Sequence, residues 1–463
     1  DACINDKRFE VKLYYVNDSV CPEIQFMSIP GFLDDNLLTY ENYNESDFDS
    51  FSPHVAVVQT PYERIQRRTH LYVTRLKSKG IRAIYIPYGI EITDTPNSRR
   101  AHFRETVIRS AWRIYTLSNE FVAEYKKYCP NYPAVRGLGL PRFDILTQKY
   151  RFKLSDDIIE KSKNRKIVVW HAHFVKIIDF NNGYHQVTPY LDEYIAFAKG
   201  ISKLDDLFFM FLPHHKFEYD TKDETLNEKI NELMNILRST KNIFIDQDAD
   251  YRPTLLNADA IITDRSALMI ESAVVGVPVL YLTNPDYKEP TFPPLITITD
   301  SYYQGSGNQD MLNFIQMLQN GVDPRKSLRE DAVRRSLPCL DGKCGERIKD
   351  DIITSLLYEP EEIYKPKRLI LFGTGQIFKI LMGYYRFPDT CEVIALSDNS
   401  PDKWYTEING ITCVPPNELI HLDFDKVIIM TDTEFEEQIH RQLRYDLEIP
   451  ETKIECFEYL SII

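Results

Sequence analysis

The chain lacks the spaced cysteines that mark either a disulfide frame or a zinc site. Its eight cysteines (Cys3, Cys21, Cys129, Cys339, Cys344, Cys391, Cys413, Cys456) are scattered, with no CxxC and no close histidine partner. That pattern fits reduced thiols and predicts a cytoplasmic setting. Positive charge is not in excess either: 55 Lys and Arg stand against 69 Asp and Glu, a formal net charge of −14. This balance argues against nonspecific nucleic-acid binding and against a broadly basic membrane face, while leaving room for a local basic cleft that takes a phosphorylated ligand. No apolar run reaches membrane-spanning length, and no signal peptide is present. A P-loop, HExxH, a Ser-His-Asp order, internal repeats and heptads are likewise absent. The chain has no initiator Met and opens mid-pattern, with polar DACINDKR ahead of FEVKLYYV. We read this as a start inside a domain, so upstream sequence is expected.

What is there is an ordinary globular composition, 43% hydrophobic and 27% charged, over 463 residues. That length is too great for one core and predicts two or three domains. The order of apolar runs and helical periods is βαβ in rhythm, predicting α/β units on parallel sheets. In the first unit, Phe9 to Val16, HVAVVQ (54–59), IRAIYIP (81–87) and Arg113 to Leu117 read as strands. Helices are expected through Lys79, from Arg99 to Trp112 and from Ser118 onward, and GLGLPRFD (137–144) reads as a turn-rich exit. The second unit repeats the rhythm. Ile167 to Trp170 is a strand ending in the loop His171-Ala172-His173, and Leu207 to Leu212 is one ending in Pro213-His214-His215-Lys216. EPEEIYKP (359–366) reads as a linker to a third α/β unit. Its strand–Gly373-Thr374-Gly375–helix pattern has Phe378 where a dinucleotide fingerprint wants glycine, and Asp398 lies near ribose-binding distance. A ligand-free Rossmann-like domain fits these residues as well as a nucleotide site does.

The chain is organised around DAIITDRSALMIESAVVGVPVLYL (259–282). Ala260 to Thr263 suits a buried strand. Asp264-Arg265-Ser266 forms a sharp turn, Ala267 to Val275 a helix capped by Gly276, and Val279 to Leu282 the next strand. A turn at the carboxyl end of a parallel strand presents the next helix's unpaired N–H groups, a ready phosphate site. Ser266 can cap that helix or bind a ligand oxygen, Arg265 adds positive charge, and Glu271 can reach a ribose diol. The same residues also fit a plain βαβ crossover with a serine cap and a solvated arginine. Three strand ends in one sheet carry polar groups, and open α/β sheets build their sites on that edge.

Together these motifs resemble the CDP-glycerol glycerophosphotransferase family, which polymerises teichoic-acid-like and capsule-like polyol phosphates. ITDRSALMIESAVVGVPVLYL is similar to its strand–TDYSS–helix–carboxylate–strand segment, with Asp264 and Ser266 matching and Glu271 where an aspartate is usual. FLPHHKF places His214 at the family's histidine. DGKCGERIKDDI (341–352) matches its closing segment at Glu346 and Arg347, and GLPRFD its G-x-PR-x-D at Gly139, Pro141, Arg142 and Asp144. The resemblance covers roughly residues 50 to 355. It implies a GT-B fold: two Rossmann-like domains, residues 1–150 (expected to lack the first strand) and 151–358, facing across a cleft, with the nucleotide held by the second. Residues 366–463 form an appended Rossmann-like domain. The family's N-domain HGTP-like histidine is missing. The comparable slot reads IPYGIEI with Gly89, which leaves Glu91 or Glu63 as substitute bases.

The resemblance implies a transferase that moves a polyol phosphate from a CDP-activated donor to a polysaccharide or lipid-linked acceptor, without cofactor or metal. The acceptor hydroxyl would attack the β-phosphorus and CMP would leave, chemistry that rests on positioning and charge stabilisation. His214 is expected at the pyrophosphate or as base, Ser266 at phosphate, Arg265 at the leaving group and Glu271 at the ribose. His171 and His173 would line the donor side, with His215, Asp264, Arg142 and Arg347 as further substrate contacts. Peripheral association with the inner membrane face is compatible with this role. Two rivals use the same residues: a GT-B glycosyltransferase on a nucleotide sugar, and a weakly catalytic scaffolding subunit of a polymer-synthesis complex.

Overall fold

The computed structural model describes residues 2–16, 39–63, 69–103, 105–128, 134–174, 177–180, 183–186, 188–218, 223–248, 250–287, 290–359, 367–384, 391–431 and 433–457. Three sheets built on parallel pairing organise it. The first contains β1 (Val55–Val58), β2 (Arg82–Tyr85), β3 (Arg113–Tyr115) and β4 (Ala134–Arg136), paired in that order and all parallel. β2 and β3 are buried, but β1, whose apolar run reads as a buried strand, is an edge strand and leaves Val57 exposed. β4 follows residues whose sequence gave no strand signal.

The second sheet contains β5 (Lys166–Ala172), β6 (Leu207–Pro213), β7 (Ile243–Ile245), β8 (Ala260–Thr263), β9 (Val279–Leu282) and β10 (Tyr303–Gly305), in the spatial order β7-β6-β5-β8-β9-β10. Every pair is parallel. Runs such as VVWHA and FFMFL are continuous rather than alternating because helices cover both faces. Trp170 is fully buried and meets Tyr194, Phe197 and Phe211 edge-on.

Several expected boundaries move. The segment Arg99 to Trp112 is not one helix but two, Pro96–Phe103 and Thr106–Ser110, because Glu105 takes an extended conformation between them. The turn-rich exit contains the helix Pro141–Leu146, with Pro141 in its first turn, where its missing N–H costs nothing. Of Phe9 to Val16 only Tyr14–Tyr15 is strand. His171 is not in a loop: β5 runs on to Ala172, since His171 still pairs with Leu212 on one side and Thr263 on the other.

Chain ends of the first two units are clasped together. Asp144 accepts from the backbone N–H of Cys344 (2.9 Å) and Gly345 (2.8 Å), at the start of the helix Cys344–Tyr358. That helix lies back on the first sheet, where Ile348 and Ile352 pack with Ile84 and Tyr115 and the Tyr115 hydroxyl donates to Asp351 at 2.8 Å. A Cβ at Gly139 would lie 2.4 Å from the Cys344 sulfur, so the two motifs meet without room for a side chain.

The third sheet contains β11 (Lys367–Phe372), β12 (Cys391–Ser397), β13 (Glu407–Ile408), β14 (Ile411–Val414), β15 (Lys426–Ile429) and β16 (Ile454–Cys456), ordered β13-β14-β12-β11-β15-β16. Its two apolar clusters draw only on residues from 369 onward. The linker expected at 359–366 falls, after Glu359, outside the described residues. Glu359 itself accepts from Trp112 and Arg113 of the first unit. Arg109 reaches Glu455 at 3.2 Å across the surface, a pair of a kind worth about 0–1 kcal/mol. Cutting the chain after Glu359 is therefore expected to leave a folded, cooperatively melting remainder. Aggregation, or a broad melt by calorimetry, would instead make the third unit part of the main core.

Candidate functional site

Parallel strands deliver their carboxyl ends to one edge of the sheet, and in the second sheet three neighbours, β6, β5 and β8, deliver histidines and an aspartate there. The His214 N–H donates to the Ala172 carbonyl at 2.8 Å, which holds the ends of β6 and β5 level. Asp264, fully buried, accepts the His173 N–H on both oxygens (2.9 and 3.0 Å) and the Tyr194 hydroxyl at 3.0 Å. The rings of His173 and His214 lie 4.6 Å apart, Phe174 lies 4.8 Å from His214, and His215 follows at 4.1 Å.

The hydrogen bonds fix what each ring can do. His171 donates from Nδ1 to the Leu212 carbonyl at 2.7 Å, so its Nε2 carries a lone pair; that atom is buried and has no partner. Burial, then the neighbouring His173, holds the His171 pKa down at about 4. His214 accepts the Lys216 N–H on Nδ1 at 3.1 Å, so its proton sits on Nε2 and that atom is a donor. Burial and then His173, His215, His171 and Lys216 push the His214 pKa far below its ordinary value. The site therefore offers neutral imidazoles at pH 7. Asp264 is pushed up to about 7 by burial, against the N–H of His173 and the Tyr194 hydroxyl, which lower it.

Beside these rings lies the turn 264–266. The following helix, Leu268–Val275, has Ala267 at its N-cap and no side-chain cap, so Ser266 does not serve as one. The Ser266 hydroxyl is buried and without a partner. Arg265 is buried and donates to the Ile92 carbonyl (2.9 Å), the Pro290 carbonyl (3.0 Å), Thr93 Oγ1 (3.1 Å) and the Tyr281 hydroxyl (3.2 Å). It thereby binds the second sheet's edge to the loop after β2.

Arg142 makes the parallel connection. It donates to the Tyr88 carbonyl of that same loop and pairs with Glu271, and it reaches the Tyr251 hydroxyl at 3.2 Å. Tyr251 donates to the other Glu271 oxygen at 2.8 Å. Glu271 is buried, which raises its pKa against the pull of Arg142 and Tyr251. The structure thus ties Asp264 to the histidine cluster through the His173 N–H, Arg265 to the loop after β2, and Glu271 to Arg142, while the Ser266 hydroxyl meets none of them. It places Arg347 elsewhere, in the clasp, donating to Leu138 and Cys339 carbonyls and to Asp341.

Glu91 stands in the loop after β2, accepting the N–H of Ile92 (2.9 Å) and Thr93 (2.6 Å) on one oxygen. Its other oxygen is 2.7 Å from His102 Nε2. Burial raises its pKa, but His102 and those two N–H groups outweigh it, and the net shift is downward. The other substitute base, Glu63, is buried and accepts the Val73 N–H. Tyr194, Tyr251, Thr93 and His102 carry contacts that sequence reasoning missed. Only their tertiary partners distinguish them from other tyrosines, threonines and helix residues. Among the described residues no group of three or more His, Cys, Asp or Glu could hold a metal ion, and no helix is long and apolar enough to cross a membrane.

Solved structures share this architecture. A UDP-N-acetylglucosamine 2-epimerase superposes with a TM-score of 0.53 at 12% identity, covering 78% of this chain and 91% of that one. The UDP-GlcNAc 2-epimerase from Neisseria meningitidis bound to UDP-GlcNAc gives 0.51 at 13% identity, with 76% and 94% covered. The fold is GT-B: paired Rossmann-like sheets with their carboxyl edges facing. The wall teichoic acid polymerase TagF, at 14% identity and 70% and 79% coverage, reaches a TM-score of 0.47, a superposition that supports no conclusion. Residues 365–455 match the family described as C2185-like, N-terminal, which concerns the third unit alone. No curated protein matches the chain.

The titrations above set a pH dependence. His171 ordinarily titrates at 6.5 and here at about 4, so its contribution to stability is complete above pH 6.5 and is lost as pH falls toward 4. At full size it is about 3 kcal/mol. Asp264 acts oppositely, since the folded chain keeps between pH 3.8 and about 7 a proton that the unfolded chain releases. The melting temperature of His171→Gln should therefore fall less between pH 7 and pH 4.5 than that of the unmodified chain. An identical fall in both would mean that His171 is protonated without cost.

Proposed function

We propose that this chain is a transferase that binds a nucleotide-activated donor at the carboxyl edge of its second sheet, and that the donor is a CDP-activated polyol phosphate, as in the family its motifs resemble. The observation that carries the reading is a pair of buried polar atoms left without partners at that edge, Ser266 Oγ and His171 Nε2. Unsatisfied buried groups cost about 1–3 kcal/mol each, and a ligand that pairs with them recovers that cost. Their polarity differs. Ser266 Oγ–H and His214 Nε2–H are donors suited to pyrophosphate oxygens, whereas His171 Nε2 accepts from a ligand hydroxyl or amine. His173, His215 and Lys216 flank the donor, and Glu271, shared with Arg142 and Tyr251, faces the ribose.

The acceptor oxygen then bonds to the donor's β-phosphorus as the bond to the CMP oxygen breaks, and CMP leaves with that electron pair. Because the proton of His214 sits on Nε2, we assign it to phosphate rather than to the base role. A growing teichoic-acid-like or capsular polymer at the membrane face is the acceptor we propose. A nucleotide sugar is the second reading, favoured by the likeness to enzymes named for UDP-GlcNAc, and it would place attack at the anomeric carbon with UDP leaving.

Calorimetric titration with CMP, CDP and UDP tests the site. Ser266→Ala should weaken the preferred nucleotide by about 1.5–3 kcal/mol, one hydrogen bond to a charged oxygen, and His214→Ala by a similar amount. Unchanged affinity in both variants would place the nucleotide elsewhere. Release of CMP from CDP-glycerol or of UDP from UDP-GlcNAc decides between the two donors.

A further inference from the structure

Two thiols converge on one point in the clasp between the first two units. Gly139 stands at that point with a φ of 85°. A Cβ built on it would lie 2.4 Å from the Cys344 sulfur, 2.8 Å from the Cys339 Cβ and 3.5 Å from the Cys344 Cβ. The Cys344 thiol donates to the Cys339 carbonyl at 3.2 Å, and the Cys339 thiol reaches the Gly137 carbonyl at 4.0 Å. The two side chains therefore meet at the space that a glycine leaves empty. A disulfide holds its Cβ atoms about 3.8 Å apart. Two Cβ atoms that lie 2.8 and 3.5 Å from one point are within a small loop movement of that spacing, and the loop between them turns at Gly342, where φ is 74°.

The pair is unequal. Cys339 is partly exposed, whereas Cys344 is buried in the first turn of the helix Cys344–Tyr358. Burial, and then Asp144, push the Cys344 thiol up to about 12, against the pull of Arg347. The Arg347 guanidinium donates to the Cys339 carbonyl at 3.2 Å and reaches the Cys344 sulfur at 3.4 Å, so a fixed cation stands beside both residues. An oxidant arriving from solvent meets Cys339 first, and Cys344 lies behind it as the thiol that closes the bond. Cys3 is the competing partner. Ala2 lies 3.6 Å from the Cβ position of Gly345, and Cys3 faces Lys349 and Glu346 of the same helix.

We propose that Cys339 and Cys344 form a redox site, a reversible disulfide that fixes the clasp when the chain meets a peroxide. The Cys339 thiolate attacks one oxygen of hydrogen peroxide. The O–O bond breaks, the sulfur becomes a sulfenic acid, and the hydroxide that leaves takes up the proton Cys339 released. The Cys344 sulfur then bonds to the oxidised sulfur, the S–O bond breaks, and the departing hydroxide takes the Cys344 proton as water. Two thiols and one peroxide thus give one disulfide and two waters. A dithiol reverses the bridge by exchange. The bridge closes over Gly139 and fixes a loop whose Cys339 carbonyl and Asp341 carboxylate already hold Arg347. Asp144, which accepts from the N–H of Cys344 and Gly345, shares the helix Pro141–Leu146 with Arg142, so the fixed loop bears on the helix that reaches Glu271. The site does not depend on which donor the cleft takes.

The test exposes the folded full chain to hydrogen peroxide, blocks the remaining thiols by alkylation and maps the peptides by mass spectrometry, beside Cys339→Ser and Cys344→Ser. The unmodified chain should yield a peptide pair linked through Cys339 and Cys344, two hydrogens lighter than the reduced pair and separated again by dithiothreitol. Cys344→Ser should stop at a Cys339 sulfenic acid that dimedone traps, and Cys339→Ser should leave Cys344 reduced. The oxidised chain should melt at a higher temperature than the reduced one, because the bridge restricts the unfolded loop, and Cys344→Ser should show no such rise. A link from Cys3 to either thiol, equal linkage in folded and urea-unfolded chains, or two thiols that both remain open to alkylation would overturn the site. A Cys339–Cys344 link that leaves the melting temperature unchanged would overturn its role in fixing the clasp.

Discussion

A single buried guanidinium holds the two halves of the cleft in register. Arg265 sits in the turn after β8 and distributes its donors among two carbonyls and two hydroxyls, three of those four partners belonging to the loop after β2 or the strap at Pro290. A buried charge is tolerated only when its donors are satisfied. Sliding one sheet edge against the other would strand several of them at once. The neighbouring Arg142–Glu271–Tyr251 group applies the same constraint a few residues away. Both buried arginine groups are consequently spent on architecture, and among the described residues a serine hydroxyl and an imidazole nitrogen of this edge are left unpartnered.

That division has a chemical consequence. With a net charge of −14 the protein supplies no diffuse attraction for a phosphorylated ligand. Burial, with the neighbouring rings, holds the pKa of His171 and of His214 down and keeps those two imidazoles neutral. Recognition at this edge then depends on directed hydrogen bonds, with His214 a donor and His171 an acceptor because of which backbone group each has already engaged. Two histidines of the same residue type thus take opposite roles through one hydrogen bond apiece.

The third unit shows the alternative outcome at a similar turn. Gly373 has a φ of 97°, and a Cβ there would lie 2.6 Å from Thr431, so the tight Gly-Thr-Gly turn is real. Its Thr374 N–H and hydroxyl are both taken by Asp398 at 2.7 Å, and Asp398 is held further by Lys403 and the Ser400 N–H. The carboxylate that spacing placed near a ribose is engaged by its own fold. Phe378, standing where a third glycine would allow close approach, is buried in the unit's core.

Most central strands of the first two units were legible in the sequence because buried parallel strands need continuous apolar runs, which are local, whereas the short strands β4 and β10 carry no such run. That the strands before His214 and Asp264 end on one edge was legible as well, since a parallel sheet brings every strand's carboxyl end to the same side. What the sequence did not determine is who partners whom. Arg265 and Thr93 are 172 positions apart, and Arg142 and Glu271 129 apart. His102 meets Glu91 from a neighbouring helix that no local pattern ties to it. Whether Glu271 faces a ligand or an arginine, whether His171 ends a strand or lies within it, and which ring nitrogen bears the proton all depend on groups brought close by the packing of two sheets. Residue type sets what a side chain can donate or accept. Only the tertiary structure decides what is within 3 Å to take it.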